Sequence, residues 1–367
     1  MKVVIVSNYF NHHQKPVCDS LNILTDGNFT FVATERISEW RKQFGYQEMY
    51  EDYVIDCTIS GNRQKALSAI YEADVVVTDA EDLSLTKQRY IAGKLIFRSS
   101  ERLFKSRTRY LKAPIHFVKA LKTKRMYLLC NSAYTALDFH KLGFYVNRSF
   151  KWGYFPAIKY YEDVDKLIKA RTGLTLLWVG RLIKLKHPEL AIEAACFLRK
   201  NSIPFTMQII GDGILKDELE KSIITNGLQE SVHLLGAVPS SSVRGYMEKA
   251  SIFLFTSDRN EGWGAVLNES MNSACAVIAN RQIGAAPFLI EHGINGLCYS
   301  SKEKFLECVR KLALDQVFRN QLSKAAYFTI CNVWNANTAA KNLLILSDSL
   351  LNNRKNPIDF GPCSLSE

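Results

Sequence analysis

Short β-rich runs alternate with helix-like segments along the whole chain, and this alternation limits the fold more than any other feature. In the first half, strands are predicted at residues 2–6, 29–33, 74–78, 94–97 and 127–131, and helices at 16–24, 63–71 and 133–142. The second half repeats the scheme, with strands at 174–180, 205–210, 232–235, 252–255 and 276–279, and helices at 187–200, 216–226, 265–273, 302–313 and 316–328. Alternation of this kind indicates α/β architecture, in which helices cover both faces of a parallel sheet.

The chain of 367 residues is long enough for two domains that each bury a core. Turn-forming residues at 152–156 end the first half, and a charged segment at 162–171 leads into the second sheet. We therefore predict a first domain at 1–160 and a second at 171–335. A final helix is predicted at 336–352, followed by a loose tail at 353–367 that contains two prolines and a glycine.

Composition narrows the class of protein. No apolar run reaches the roughly 18–20 residues of a membrane-spanning helix. The apolar run at the N-terminus is too short for a signal peptide and predicts a buried first strand. The nine cysteines are scattered and never spaced C-x-x-C, as is typical of reduced thiols in a cytosolic protein.

The segment 257–299 carries the clearest chemical signal. Glu261 lies in a glycine-flanked turn, and Glu269 follows eight residues later within a predicted helix. A loop that feeds a helix N-terminus favours an anion. Two carboxylates near a phosphate site suit the hydroxyl groups of a nucleotide-diphosphate sugar. The alternative is that Glu261 stabilises the helix dipole and that Glu269 is a solvated helix residue.

Two cations follow the end of a predicted buried strand. Arg181 and Lys186 come after the strand at 174–180, where ligands of open α/β sheets bind. An arginine fork and a lysine point charge could hold a diphosphate together. An ordinary basic loop is the alternative, and the two downstream glutamates favour the ligand site over it.

Several motifs of the second half resemble, in the same order, those of retaining glycosyltransferases of family 4. Glu261 and Glu269 are similar to the family's E-x7-E signature, and the sequence WVGRL at 178–182 with Lys186 resembles its VGRL…K element. The remaining matches are IIGDG at 209–213, VHLLG at 232–236, and Gly284, Gly293 and Asn295-Gly296. The resemblance implies the GT-B fold, which has two Rossmann-like, doubly wound parallel-sheet domains facing a central cleft. The first half resembles the family only weakly.

The resemblance also implies roles for individual residues. Arg181 and Lys186 would bind the donor diphosphate, Glu261 the donor sugar near its reacting carbon, and Glu269 the ribose hydroxyls. The other donor-binding candidates are Gly262, Trp263, Gly264, Ala265, Gly211, Asp212 and Val238. Of these, the Gly211-Asp212-Gly213 turn would shape the donor cleft, and Val238 lies at the edge expected to bind the base.

This chain departs from the family at several positions. His12 and His13 occupy a loop in which many members have glycines, so one of them could contact the acceptor or relay a proton, or the pair could be structural. Glu101 and Arg102 are further acceptor-side candidates. Ala274 stands where the family usually has glycine. Asp163-Val164-Asp165 spells a D-x-D metal signature, but it falls in a charged segment and we interpret it as coincidental, with no metal or other cofactor expected.

A strongly basic segment at 87–125 contributes much of the formal net charge of +11. Its cations are Lys87, Arg89, Lys94, Arg98, Arg102, Lys105, Arg107, Arg109, Lys112, Lys119, Lys122, Lys124 and Arg125, interleaved with Tyr90, Phe97, Phe104, Tyr110 and Phe117. A solvated basic face and a patch that binds an anionic membrane surface are equally good interpretations. Nucleic-acid binding is a weaker one, because no nucleic-acid module accompanies the charge.

These observations predict a retaining glycosyltransferase that moves a hexose-type sugar from a nucleotide-diphosphate donor to a lipid-linked saccharide acceptor. The setting would be bacterial capsule, exopolysaccharide or lipopolysaccharide assembly, in a cytoplasmic protein that is peripheral at the inner face of the plasma membrane. No nucleic acid is expected as a partner. The alternatives are a GT-B nucleotide-sugar epimerase and a non-catalytic protein that binds a nucleotide sugar or nucleic acid.

Overall fold

The computed structural model describes residues 1–39, 49–79, 84–103 and 125–367. The chain forms two compact units. Unit 1 comprises Met1–Ala157 and Trp334–Glu367, and unit 2 comprises Ile158–Val333. Each unit is built on its own parallel sheet, which confirms the predicted α/β class.

Unit 1 contains a seven-stranded sheet in the order β3-β2-β1-β4-β5-β6-β7, and its neighbouring strands run parallel. The strands are β1 (Val3–Ser7), β2 (Phe29–Ala33), β3 (Val54–Asp56), β4 (Val75–Thr78), β5 (Ile96–Ser100), β6 (Met126–Cys130) and β7 (Ser149–Lys151). Its helices are Lys15–Leu24, Asn62–Glu72, Lys87–Ile91, Thr135–His140 and Ala336–Leu351. The strand order changes direction between β1 and β4, so the sheet is doubly wound.

Unit 2 contains a six-stranded parallel sheet in the order β10-β9-β8-β11-β12-β13. The strands are β8 (Thr175–Val179), β9 (Thr206–Ile210), β10 (Val232–Gly236), β11 (Ile252–Phe255), β12 (Ala276–Asn280) and β13 (Leu297–Tyr299). Its helices are Val164–Lys169, Glu189–Lys200, Lys216–Thr225, Ser240–Lys249, Val266–Asn272, Ala286–Leu289, Lys302–Leu314 and Gln316–Asn332, with a 3-10 turn at Lys184–Lys186. The strand order of this sheet changes direction between β8 and β11.

The core of each unit lies between its sheet and its helices. All four residues of β4 and of β11 are buried, as expected for strands covered on both faces. The helix Ala336–Leu351 belongs to unit 1, where it packs against the helix Lys15–Leu24. No helix among the described residues is both long and apolar enough to cross a membrane.

The end of the C-terminal tail, residues 361–366, is packed rather than loose, which corrects the prediction for this part. Its backbone pairs with β7: Lys151 N donates to Ser364 O at 2.8 Å, and Ser366 N donates to Ser149 O at 2.9 Å. Cys363 and Ser364 are buried. An edge strand exposes unpaired N–H and C=O groups, and the tail satisfies those of β7. Prolines and glycine made the segment look irregular, but they do not prevent this pairing.

The charged segment at 162–171 contains a short helix, Val164–Lys169. The side chain of Asp163 caps it by accepting a hydrogen bond from Lys166 N at 3.0 Å. Asp165 instead forms an ion pair with Lys324 at 2.6 Å. The two carboxylates of the D-x-D sequence therefore have separate structural partners.

Part of the basic segment is also structural. Arg89 is buried and donates hydrogen bonds to the backbone carbonyls of Ile70, Ala73, Asp74 and Leu95. Phe97 is buried in β5. These two residues therefore do not belong to a surface patch, contrary to the sequence interpretation. The cations and aromatics between 104 and 124 lie outside the described residues.

Candidate functional site

The candidate site of unit 2 lies at the carboxyl edge of its sheet, where β8 and β11 end side by side. These are the two strands at which the strand order reverses, and the crevice beyond such a pair is where open α/β sheets bind ligands. The loop after β8 carries Arg181 and Lys186, and the loop after β11 carries Glu261. The topology thus brings the predicted cations and the first predicted glutamate to one place.

Lys186 and Glu261 form an ion pair between Nζ and Oε2. Their side chains are only 16% and 14% exposed, so the pair is shielded from solvent on most sides. Two further bonds join the loops: Thr256 Oγ1 donates to Lys186 O at 2.6 Å, and Asp258 N donates to Leu185 O at 2.9 Å. An ammonium group is therefore held in a fixed position at the edge of the sheet.

His187 is a residue of this site that the sequence analysis missed. Its φ of 47° is left-handed, which is uncommon for a residue other than glycine. Its Nδ1 contacts Glu189 Oε1 at 2.6 Å, and its Nε2 lies 3.5 Å from Asp258 Oδ2. The ring thereby links the loop of Lys186 to the loop of Glu261. Its position between Lys186 and a helix-starting proline was the only sequence signal.

The turn around Glu261 depends on glycine. Gly264 has φ of +85°, and a Cβ there would lie 2.3 Å from a ring carbon of Phe255. Trp263 is buried, and its Nε1 donates to Asn268 Oδ1 at 2.8 Å. The indole is thus a core side chain, and only the backbone of Trp263 remains available to a ligand. Gly262 is also buried, whereas Ala265 is half-buried and precedes the helix Val266–Asn272.

Glu269 lies in that helix and is half-buried. Burial raises the pKa of its carboxyl group, and the nearby guanidinium of Arg244 offsets part of the increase. Arg244 in turn donates to Asn272 Oδ1 at 2.8 Å. Glu269 is therefore a shielded carboxylate next to one cation, and it is not the solvated residue of the alternative interpretation.

The Gly211-Asp212-Gly213 turn packs directly on the loop after β8. A Cβ on Gly211 would lie 1.8 Å from Gly180 O, and one on Gly213 would lie 2.5 Å from Leu182 O. Leu182 N donates to Asp212 O at 2.8 Å, which holds the two loops together. The glycines thus allow the close approach that positions Arg181. The carboxylate of Asp212 accepts a hydrogen bond from Gly213 N at 2.7 Å.

Two other predicted donor residues lie on the surface of unit 2. Arg181 is exposed, and within the described ranges no carboxylate lies within ion-pair distance of it. Its guanidinium is therefore accessible to a ligand from solvent. Val238 follows β10 and is half-buried.

The acceptor-side candidates lie at the carboxyl edge of the unit 1 sheet. The rings of His12 and His13, in the loop after β1, are 4.0 Å apart between centroids. Burial, with a smaller contribution from His12, lowers the pKa of His13 to about 4, so that imidazole is neutral at pH 7. After β5, Glu101 accepts a hydrogen bond from Tyr154 Oη at 2.9 Å, and Arg102 Nε lies 3.4 Å from Asp138 Oδ2.

A polar network supports the histidine loop. Gln14 Nε2 donates to Ser7 Oγ at 2.9 Å, and Ser7 Oγ donates to Asp79 Oδ2 at 2.8 Å. Asn11 Nδ2 donates to Gln14 Oε1 at 3.1 Å, and Asn11 Oδ1 accepts from His13 N at 2.8 Å. This network spans the ends of β1 and β4, where the strand order of unit 1 reverses.

No group of three or more histidine, cysteine, aspartate or glutamate side chains is arranged to hold a metal ion in the part of the chain that the structure describes.

Comparison with known families matches residues 161–328 to the family model described as "Glycosyl transferases group 1". The matched region is less than half of the chain, occupies most of unit 2 and includes both glutamates and both cations. The match to the family model ends before the last helix, Ala336–Leu351, and does not reach unit 1.

Curated relatives match part of the chain. An uncharacterized glycosyltransferase of Methanocaldococcus jannaschii is 34% identical over 42% of this chain and 44% of its own length. The amylovoran biosynthesis glycosyltransferase AmsK of Erwinia amylovora is 34% identical over 34% of this chain and 31% of its own. A Campylobacter jejuni enzyme, named an N-acetylgalactosaminyltransferase acting on a diphospho-undecaprenol saccharide, is 34% identical over 41% and 34%. The matched region thus spans less than half the length of these relatives.

Solved structures resemble the whole chain. Anabaena HepE in complex with UDP has a TM-score of 0.69 at 16% identity, covering 96% of this chain and 100% of that one. A glycosyltransferase of Rickettsia africae has a TM-score of 0.63 at 13% identity, covering 96% and 98%. The two parallel-sheet domains therefore have the GT-B fold, as the resemblance implied.

Proposed function

We propose that this protein is a retaining glycosyltransferase that moves a hexose-type sugar from a nucleotide-diphosphate donor to a lipid-linked saccharide. The observation that carries the proposal is the Lys186–Glu261 ion pair, at the strand-order reversal of a glycosyltransferase group 1 domain. Named glycosyltransferases among the curated relatives support the transferase activity.

The pair suggests how the donor would be recognised. Before binding, Glu261 neutralises Lys186 in a shielded place, where an unpaired charge would be unfavourable. The donor diphosphate would replace Glu261 as the anion that Lys186 contacts, and Arg181 would contact the diphosphate from the solvent side. The carboxylate of Glu261 would then be released to bind the donor sugar. Glu269, already desolvated, would accept hydrogen bonds from the ribose hydroxyls.

The same residues would favour cleavage of the sugar–phosphate bond. As that bond breaks, negative charge grows on the leaving diphosphate and positive charge on the sugar carbon. Preorganised cations lower the energy of this transition state, and removal of one such group slows a reaction by about 10²–10³. In the retaining reaction that we propose, the acceptor hydroxyl attacks from the face that the diphosphate leaves, and a departing phosphate oxygen takes its proton.

The lipid-linked acceptor is supported by one relative. The Campylobacter jejuni enzyme is named for a diphospho-undecaprenol saccharide acceptor. Amylovoran biosynthesis, in the name of the Erwinia amylovora relative, supports a role in surface polysaccharide assembly. We further propose that the protein is cytoplasmic and binds an anionic membrane surface through the basic segment 87–125. Flotation with anionic and neutral liposomes at moderate salt tests this part, and equal recovery with both lipids would contradict it.

The decisive experiment measures sugar transfer from radiolabelled nucleotide sugars to lipid extract, with wild type and Glu261→Gln. The substitution keeps the shape of the side chain but removes the charge. We expect transfer by wild type and at least about a 10²-fold loss in the variant. Conversion of the nucleotide sugar without acceptor would favour the epimerase. No transfer and no conversion by wild type would favour a non-catalytic binding protein.

A further inference from the structure

A small polar recess lies at the amino edge of the unit 2 sheet, opposite the edge of the donor site. Gly173, just before β8, and Ser251, just before β11, form its floor. Two arginines, Arg171 and Arg319, line it together with Gln316 and Asn320. Lys186 and Glu261 follow the opposite ends of the same two strands, so the recess is distinct from the donor site.

Arg171 is held by the ends of two helices. Its Nε donates to Glu248 O at 3.0 Å, its Nη1 to Ala274 O at 2.7 Å and its Nη2 to Ser273 O at 2.8 Å. A guanidinium has five N–H donors, so two of them remain after these bonds. The acceptors are neutral carbonyls, which orient the group but do not cancel its charge.

Arg319 is less fully bonded. It is buried, and its Nη1 donates to Leu312 O at 2.5 Å, near the end of the helix Lys302–Leu314. Its Nε and Nη2 have no acceptor among the residues that the structure describes. Arg319 also lines the recess, so these N–H groups are available to an acceptor that enters it.

The charges lead to the same conclusion. Within the described ranges, no carboxylate lies within ion-pair distance of either guanidinium. Burial lowers the pKa of both arginines, and the positive charge of Arg171 lowers that of Arg319 further. Helix C-terminal carbonyls, Glu248 near Arg171 and Asp315 near Arg319 offset part of this repulsion. A half-buried and a buried cation next to each other still leave an excess of positive charge.

We propose that this recess binds a small inorganic anion, which bridges Arg171 and Arg319. Its interior has room for about one water-sized group, which suits chloride or one oxygen of an oxyanion such as phosphate. The anion would connect the segment after the helix Val164–Lys169 to the helix Gln316–Asn332. Binding would thus stabilise unit 2 independently of any donor.

The melting temperature of the full chain in sodium chloride, phosphate and gluconate, at equal ionic strength, tests the site. We expect chloride or phosphate to raise it saturably by a few degrees above gluconate. Arg319→Met should remove this response. Arg310→Met is the matched control, because Arg310 is exposed on the neighbouring helix, and it should keep the response.

A second variant tests the site without deleting a guanidinium. Asn320→Asp keeps the size of the side chain and supplies an anion from the chain itself. We expect a higher melting temperature in gluconate and no further gain from chloride or phosphate. A wild type without saturable anion dependence, an Arg319→Met that keeps it, or an Asn320→Asp that responds like wild type would each overturn the proposal. If Arg319→Met does not fold, Asn320→Asp decides.

Discussion

The two units place different chemistry at equivalent points of their sheets. In unit 2, the loops after β8 and β11 present Lys186, Glu261 and the exposed Arg181. In unit 1, the loops after β1 and β4 present hydroxyl, amide and imidazole groups and the carboxylate of Asp79. Under the proposed function, the first edge would bind the donor diphosphate and the second the acceptor. The loops, and not the shared topology, would then determine which ligand each unit binds.

The largest expected effect is at the charged edge. Lys186→Ala should leave Glu261 without its partner and remove a cation from the leaving diphosphate. We expect transfer to fall by about 10²–10³. Glu101→Gln, at the edge of unit 1, is the comparison variant, and its loss should be smaller. Rates of transfer from labelled donor measure both, and equal losses would remove the distinction between the two edges.

Unit 1 should depend strongly on one buried cation. Arg89→Met would leave four backbone carbonyls without their donor. We expect the free energy of unfolding to fall by about 3 kcal/mol, because each buried acceptor left unsatisfied costs about 1–3 kcal/mol. Urea denaturation measures the change. The neighbouring Lys87→Met, at an exposed position, should change stability little. An equal loss in both variants would mean that the loss does not come from the carbonyls that Arg89 bonds.

Unit 2 should depend on the close approach of its loops. Gly211→Ala would place a Cβ against Gly180 O in a backbone conformation that alanine rarely adopts. We expect a loss of about 2 kcal/mol in the free energy of unfolding. Gly245→Ala is the control, because Gly245 lies in a helix with open space around it and should tolerate alanine. Equal stability of the two variants would contradict the role assigned to Gly211.

The histidine loop of unit 1 should make stability depend on pH. The pKa of His13 falls from 6.5 to about 4 on folding, so the unfolded chain binds more protons between these values. His13 therefore contributes fully to the free energy of unfolding above pH 6.5, and this contribution is lost as the pH falls towards 4. His13→Gln should reduce the pH dependence of the melting temperature in that window. The exposed His233→Gln is the control, and an identical profile for both variants would contradict the assignment.

The smallest expected effect concerns Ala274 in unit 2, which the sequence comparison identified as a departure from glycine. Its φ of 55° is left-handed, directly after the helix Val266–Asn272 and its C-cap Ser273. Ala274→Gly should relieve strain and raise the free energy of unfolding by about 0.5–1 kcal/mol, less what is lost by removing a buried methyl group. Denaturant unfolding measures this change. A decrease in the free energy of unfolding would mean that the packing of the methyl group outweighs the relief of strain.

Hydrophobic periodicity predicted most long elements to within one or two residues. Strand 29–33 and strand 252–255 coincide with β2 and β11. The strands β3, β7 and β13 were missed, because three residues give no periodic signal. The sequence places Arg89 among surface charges, because buried arginines are rare.

The sequence could indicate the chemistry of the site but not its contacts. The sequence indicates that Arg181, Lys186 and Glu261 each follow a strand. Lys186 and Glu261 are 75 residues apart, however, and they become neighbours because β8 and β11 are adjacent in the sheet. The left-handed His187 and its link to Asp258 depend on tertiary structure. The same is true of the tail, whose pairing with β7 is a long-range contact that local composition does not show.

The most direct test of the donor site is the melting temperature of wild type, Lys186→Ala and Glu101→Gln with UDP, GDP, ADP, CDP and dTDP. Ligand at about 100 times its Kd stabilises a protein by roughly 2.7 kcal/mol, which gives a clear shift. We predict that one nucleotide stabilises wild type and Glu101→Gln but not Lys186→Ala. Equal stabilisation of Lys186→Ala, or no shift of wild type with any nucleotide, would contradict a nucleotide-diphosphate site at this edge of unit 2.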